Sequence, residues 1–290
     1  MNSSQFKINE FKKLCIIVCF KPNEVESIIK NIDKFYNEWI EKKLDRKTGL
    51  PKKYLDGTEK QRTIRPSLKE LKIIQSRIKN KILAPIKLPS VVHGGVKRCS
   101  NITNAKPHQG NKYVFTTDLQ EFYPNISSKR VYDTFCKFFS PHYSHWLTKL
   151  TTWKHELPQG TPTSTHIANL VFLEADIELI KLCNLNNITY TRYVDDLTFS
   201  SQQDFKHLLS DILKIVTSNN FKLSHRKTQY KGKQTITGIN VFLNKIDAPE
   251  KIIEKSKNEI ESNAEFRPYT NYRNNINKTN KRKKITAGTR

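Results

Sequence analysis

No hydrophobic run in this chain is long enough to cross a bilayer: the most apolar stretch, Leu14 to Phe20, falls far short of the roughly 20 residues that a spanning helix needs. Lys21-Pro22 follows it where a small-residue cleavage site would stand, so it does not read as a signal peptide and is assigned to buried core. Cysteine offers no scaffold either. The 5 cysteines, Cys15, Cys19, Cys99, Cys136 and Cys183, are scattered, odd in number and never spaced as Cys-x-x-Cys. That excludes a disulfide framework or zinc knuckle and fits a reducing, cytoplasmic setting. No internal repeat is visible. Acidic residues are in short supply, with 27 Asp and Glu against 51 Lys and Arg, a formal net charge of +24. Such a charge attracts polyanions, and nucleic acid is the first partner it suggests. Ribosomal and membrane-surface proteins share a basic composition, so charge alone does not choose among them. A chain of 290 residues can bury one large core or two to three joined subdomains.

Periodicity places the elements. Val25, Ile28, Ile32, Phe35 and Trp39 have helical spacing behind Pro22, and Leu71, Ile74, Ile78 and Ile82 form a second helical face within Ser67 to Leu83, ended by Pro85. The stretch Asp45 to Gly57 reads as a turn-rich loop or hairpin. Tyr113-Val-Phe-Thr-Thr-Asp118 is a strand that delivers Asp118 to its end. A long helix is expected from Ser164 to Leu182, after Thr161-Pro162. Ile188 to Tyr193 and Leu197 to Ser200 then read as two short strands flanking Val194-Asp195-Asp196, a hairpin with two acids at its tip. Phe205 to Val216 gives another helix, with strands near Phe221 to Leu223 and Thr235 to Phe242. One helix is expected after Pro249, followed by a mobile Asn-, Lys- and Arg-rich tail containing Lys281 to Lys284. This mixed order points to an α+β fold rather than a regular alternation.

The carboxylates carry the chemistry. Nucleotidyl transfer needs charge neutralised on both the attacking and the leaving oxygen. Two hard cations about 3.5–4 Å apart, bridged by carboxylates, supply it. An Asp at one strand end and an Asp pair on a neighbouring hairpin would meet at such a site. A lone Asp-Asp in a turn is ordinarily just a solvated turn. Here Tyr193-Val-Asp-Asp196 comes with Leu157-Pro-Gln-Gly160 upstream, and with Asp118 and the aromatic Tyr123 before that, an order that chance rarely produces.

These residues resemble reverse transcriptases over roughly residues 25 to 245. Thr117-Asp-Leu-Gln-Glu-Phe-Tyr-Pro-Asn-Ile126 is similar to the first palm motif, Leu157-Pro-Gln-Gly-Thr-Pro162 to the nucleotide and template pocket, and Tyr193-Val-Asp-Asp196 to the family's signature turn. The resemblance implies a right-hand polymerase: residues 1–112 as N-terminal helices and first fingers part, 113–245 as palm with an interleaved fingers segment, and 246–290 as a short thumb and basic tail. The palm is expected on a small antiparallel sheet backed by helices. It also implies two Mg2+ ions on Asp118, Asp195 and Asp196, with the backbone carbonyl of Leu119 as a further ligand. Tyr123 would exclude a ribose 2′-hydroxyl, while Gln159 and Gly160 would bound the nascent base pair. Lys60-Gln-Arg-Thr-Ile64 is similar to the fingers motif, so Lys60 and Arg62, Arg62 above all, would contact the triphosphate. The role of Arg65 is unassigned. Lys227 is either a second triphosphate contact or one exposed lysine among many.

Asn104-Ala-Lys-Pro-His108, the His93 to Gly95 segment and Thr235-Ile-Thr-Gly238 resemble elements of bacterial retron reverse transcriptases. That subtype implies deoxynucleoside triphosphates as substrates, a structured noncoding RNA as template and primer, an RNA–DNA hybrid in the cleft, and single-stranded DNA as product. It further implies a role in antiphage defence with an effector protein. Asn104 is expected to touch RNA, and His108 either to touch RNA or to fix a local turn. Other bacterial reverse transcriptases, of group II intron or defence-associated type, and a silent RNA-binding scaffold are the competing readings. The His142-x-x-His145 pair reads as a loop feature rather than a metal site. Trp39, Trp146 and Trp153 read as core or subdomain packing.

Overall fold

A computed structural model describes residues 3–44, 49–53, 57–224, 228–232 and 234–280. In chain order the elements are α1 (Ser3–Val18), α2 (Pro22–Lys30), β1 (Trp39–Lys42), β2 (Gln61–Ile64), α3 (Lys69–Ile78), α4 (Asn101–Ala105), β3 (Tyr113–Asp118), α5 (Ser128–Phe135), α6 (Pro141–Thr151), α7 (Ser164–Val171), α8 (Leu173–Leu185), β4 (Thr189–Tyr193), β5 (Asp196–Ser201), α9 (Leu209–Ser218), β6 (Gln229–Lys231), β7 (Gln234–Ile236), β8 (Ile239–Val241), β9 (Ile246–Asp247), α10 (Glu250–Glu261) and α11 (Pro268–Asn280). The fold is α+β, and all the pairings among these strands are antiparallel. Two compact units form: Met1–Leu88 with Glu121–Leu173, and Pro89–Gln120 with Glu174–Arg290.

The first unit is mainly helical. Leu14 and Val18 of α1 and Leu71, Ile74 and Ile78 of α3 are fully buried, the latter three being the apolar face that periodicity predicts. Ile16, at 76 % exposure, lies on the other side of α1, so the apolar run of that helix is only half core. The helix expected through Trp39 stops at Lys30, because Asn31 leaves helical geometry (φ −113°, ψ 32°). Trp39 instead opens β1, pairs with Ile64 of β2 and stays substantially exposed, against the expectation of a packed indole. Trp153 does pack: it stacks on Tyr36 at 4.6 Å, and its indole N–H donates to Asp33 at 2.6 Å. Trp146 tilts against Phe11 at 4.4 Å. His142 and His145 lie on α6 rather than in a loop; Ser140 accepts from the amide of Tyr143 and Pro141 sits in the first turn.

In the second unit a four-stranded sheet runs in the order β4-β5-β3-β6. Its centre is dry: Phe115 of β3 and Phe199 of β5 are register partners, both buried, and Tyr190 of β4 stacks on Phe199 at 4.7 Å. A smaller sheet, β7-β8-β9, shares a core with α4 and α11 through Ala105, Ile236, Ile239, Val241, Ile246 and Ile276.

Four further expectations need correction. The segment 164–182 is not one helix; Phe172 (φ −85°, ψ −6°) closes α7 before α8 begins. Among the described residues near Phe221 a single bridge, Leu223 with Leu119, takes the place of the expected strand. The segment 235–242 is a hairpin, turning at Thr237 and Gly238, both with positive φ. Among the described residues two helices, not one, follow Pro249. The Asn-rich stretch folds as α11 because Ile276 is buried, Glu259 accepts from the first-turn amides of Tyr269 and Thr270, and Asn280 exchanges two hydrogen bonds with the backbone of Ile246. Lys281 to Lys284 lie outside the described residues.

Candidate active site

Three carboxylates meet at one end of the four-stranded sheet. Asp118 ends β3 and is the register partner of Asp196, the first residue of β5, which in turn pairs with Tyr193 of β4. Val194 and Asp195 form the two-residue turn between β4 and β5. The amide of Leu119 donates to the carbonyl of Asp195 at 2.9 Å, and the carbonyl of Asp118 accepts from the amide of Ser224 at 2.7 Å, which fixes both arms of the site through backbone. One carboxylate oxygen from each of Asp118, Asp195 and Asp196 lies within 4.8 Å of the others, a set that could hold a metal ion. Like charges directly across a ladder destabilise a sheet unless something positive offsets them. An all-oxygen, all-anionic donor set fits a hard divalent cation such as magnesium and gives no thiolate or imidazole for a softer one.

The profile of the reverse transcriptase (RNA-dependent DNA polymerase) family matches residues 47–241, spanning both the carboxylate cluster and the upstream motifs. The chain belongs to the reverse transcriptase family. Among curated members of this family it is similar to the retron Se72 reverse transcriptase of Salmonella heidelberg, at 32 % identity over 203 residues, covering 68 % of this chain and 54 % of that protein. It is similar also to the retron Ec86 reverse transcriptase of Escherichia coli, at 30 % identity over 197 residues, covering 66 % and 62 % respectively. The chain thus matches just over half the length of these relatives. A solved telomerase from Candida albicans, in complex with a TWJ fragment of telomeric RNA, aligns with a TM-score of 0.41 and 10 % identity over 48 % of this chain and 30 % of that one, too low to bear on function.

Lys60, Arg62, Tyr123, Gln159 and Gly160 fall in the first unit and are built differently. Arg62 stands on β2, exposed, with its guanidinium on the carboxylate of Glu41 across the ladder at 2.6 Å. Lys60 is half-buried just ahead of that strand. Arg65 is held by the carboxylates of Glu38 and Glu156 and lies over the ring of Trp153, which makes it a structural anchor in this conformation. Its amide donates to the carbonyl of Gln159 at 2.7 Å, joining the fingers-motif strand to the Gln-Gly loop. Gly160 has φ of 110°, a conformation that calls for glycine, and a Cβ there would press on the Ile64 side chain at 3.3 Å. The hydroxyl of half-buried Tyr123 shares a hydrogen bond with that of Thr165 at 3.1 Å, which sets the ring's direction. Lys227 lies outside the described residues.

Asn104 and His108 depart from their expected contact with RNA: both side chains are fully buried. The two ring nitrogens of His108 bond the hydroxyls of Ser200 on β5, at 2.6 Å, and Thr191 on β4, at 2.7 Å. Burial, with His93 nearby, pushes its pKa down to about 3, so the ring is neutral and cross-links the two strands. Asn104 donates to the hydroxyl of Thr237 in the β7–β8 turn at 3.3 Å. Two of the three retron-like elements therefore join each other inside the second unit. Sequence reading overlooked Arg192 and Asp176, both 0 % exposed in their side chains. The available signal was an arginine in an otherwise aromatic and β-branched strand, immediately before the signature turn.

Proposed function

We propose that this chain is an RNA-directed DNA polymerase of the retron type, copying a structured noncoding RNA into single-stranded DNA. The observation that carries the reading is the convergence of Asp118, Asp195 and Asp196 within 4.8 Å in a chain of the reverse transcriptase family. The names of its curated relatives favour the retron subtype, and with it an antiphage role alongside an effector protein.

In this reading Asp118, Asp195 and Asp196 hold two Mg2+ ions, with the Leu119 carbonyl as a further ligand. When bound, the ions would acidify the primer hydroxyl and neutralise charge on the triphosphate. The chain's own side chains do the rest. Arg62, released from Glu41, takes the triphosphate through its planar fork, aided by Lys60 and Lys227. Tyr123, aimed by Thr165, leaves no room for a 2′-hydroxyl, so deoxynucleotides are selected by shape. Gln159 and Gly160 form one wall of the base-pair pocket, where the missing Cβ of Gly160 lets the backbone come close.

The test is primer extension on an RNA template with deoxynucleoside triphosphates and Mg2+. Wild-type protein should make DNA, and Asp195→Asn should make none while still binding RNA. Extension by Asp195→Asn at the wild-type rate would overturn the assignment of the site. Sequencing of the copurifying nucleic acid addresses the subtype, for which a branched RNA–DNA molecule is expected. Its absence would count against the retron reading alone.

A further inference from the structure

The tandem aspartates stand on a turn whose own residues do not favour its shape. Val194, the first of its two central residues, has φ of 60°. Two-residue hairpin turns demand positive φ at this place and ordinarily fill it with glycine, whereas a β-branched residue there is an outlier. Such a conformation persists only where the surroundings over-determine it. Two independent sets of contacts do so here, both within the second unit.

The first comes from the strand beneath. The guanidinium of Arg192 on β4 donates to the carbonyl of Val194 through Nη1 at 2.9 Å, while Nε and Nη2 grip the two carboxylate oxygens of Asp176 on α8 at 2.9 and 2.6 Å. Tyr190 donates to the same carboxylate at 2.8 Å. The pair has no exposure. A buried ion pair is weak evidence for stability, since apolar replacements of equal volume are often as stable. What the pair supplies that an apolar pair cannot is a fixed, doubly anchored donor under one peptide of the turn.

The second set comes from the side. The segment before α4 runs along β4, with the Arg192 amide donating to Val91 and the His93 amide donating to the Arg192 carbonyl, each at 2.8 Å. This brings Gly94 against the turn so closely that a Cβ on it would lie 2.4 Å from the Val194 nitrogen and 2.5 Å from a Val194 methyl carbon. Real Cβ atoms do not come so near, so any other residue at 94 would push Val194 away.

We infer that Asp176, Arg192 and Gly94 are positioning residues of the carboxylate site: they clamp Val194 in its left-handed conformation and so set the spacing of Asp195 and Asp196 against Asp118. The inference rests on the reading of those three aspartates as a metal site. It requires that the clamp act through the turn, and not only through the stability of the fold.

The experiment is Mn2+ titration of the full-length protein without nucleic acid, with thermal melting alongside. Wild type should bind Mn2+ at a site that Asp195→Asn removes. Arg192→Lys leaves a cation for Asp176 but lacks the fork that also reaches Val194. Gly94→Ala leaves the ion pair intact and crowds the turn directly. Each should weaken Mn2+ binding by about tenfold, the scale found for groups that orient metal ligands. Adding Val194→Gly, which adopts positive φ freely and removes the crowded methyls, should restore most of the loss in both. Wild-type affinity in both single variants, or a loss that Val194→Gly does not restore, would overturn the clamp while leaving the metal site standing. If Arg192→Lys does not fold, Gly94→Ala and its Val194→Gly partner decide alone. Absence of Asp195-dependent Mn2+ binding in wild type would bring down the metal reading and the clamp together.

Discussion

The β4–β5 hairpin of the second unit and the β1–β2 ribbon of the first each bind an arginine to a carboxylate, but in opposite surroundings. Arg192 and Asp176 have side chains with no exposure and are joined by two short hydrogen bonds, with a third from Arg192 to the turn. Arg62 and Glu41 are register partners on a ribbon where their side chains are 44 and 47 % exposed. Water screens the second pair, which can open at little cost; in the first, each charge needs the other because burial has stripped both of water. The contrast suits the proposed tasks. Carboxylates that share metal ions must keep one spacing through every turnover, whereas a basic residue that meets each new triphosphate must let go and reach.

Four experiments bear on that contrast. The largest effect should come from the site that the buried hairpin supports: Asp118→Asn should cut primer extension by at least about ten-thousandfold, roughly 5.5 kcal/mol of barrier, with the melting temperature unchanged or raised as like charge is removed. A loss of only a few fold would remove Asp118 from the metal site. Next, Arg192→Met should destabilise folding by about 3–5 kcal/mol, because it leaves Asp176 buried without its partner; denaturant unfolding measures this, and a change under 1 kcal/mol would erase the difference between the two pairs.

The third experiment concerns His108, which ties β4 to β5 as a neutral ring. Its folded pKa of about 3 lies below the ordinary 6.5, so between those values the unfolded chain holds a proton that the folded one does not. Its contribution is therefore complete above pH 6.5 and declines as pH falls toward 3. From pH 7 to pH 5 the loss should be about 2 kcal/mol, seen as a steeper acid-side fall in melting temperature for wild type than for His108→Gln. Parallel curves would show that the ring is not held neutral. The smallest effect should come from the exposed ribbon. Arg62→Ala should leave stability within about 1 kcal/mol of wild type while raising KM for deoxynucleoside triphosphates about tenfold. An unchanged KM would remove Arg62 from the triphosphate site.

Legibility in the sequence followed how local the cause was. Tyr113 to Asp118 could be read because β-branched and aromatic residues crowd the five consecutive positions before the aspartate, and Leu71, Ile74 and Ile78 because they sit on one helical stripe. The carboxylates were legible as types in an order, although their approach depends on the register of β3 against β5, which composition does not carry. Trp39 misled because helical spacing continued by coincidence past Asn31, where the chain had already turned toward β1. The helix α11 was missed because its reasons lie elsewhere: Glu259 on α10 and Ile246 on β9 supply the partners that its own asparagines do not advertise. Asn104 was read as an RNA contact, and His108 as an RNA contact or a turn-fixing residue, because a motif shows which residues recur together but not which way they face.

On the proposed function, the pairing of Asp118 with Asp196 would make sheet registry a determinant of activity in its own right. Side chains along a strand alternate between faces, so inserting or deleting one residue within 113–118 or 196–201 would turn a carboxylate to the opposite face of the sheet while leaving composition and overall hydrophobicity almost untouched. A single in-frame codon there should silence the protein as completely as loss of the aspartate itself. The same edit in the stretch between α10 and α11, residues 262–267, meets no such alternation. Tolerance to length change should therefore map the working face of this molecule more sharply than tolerance to substitution.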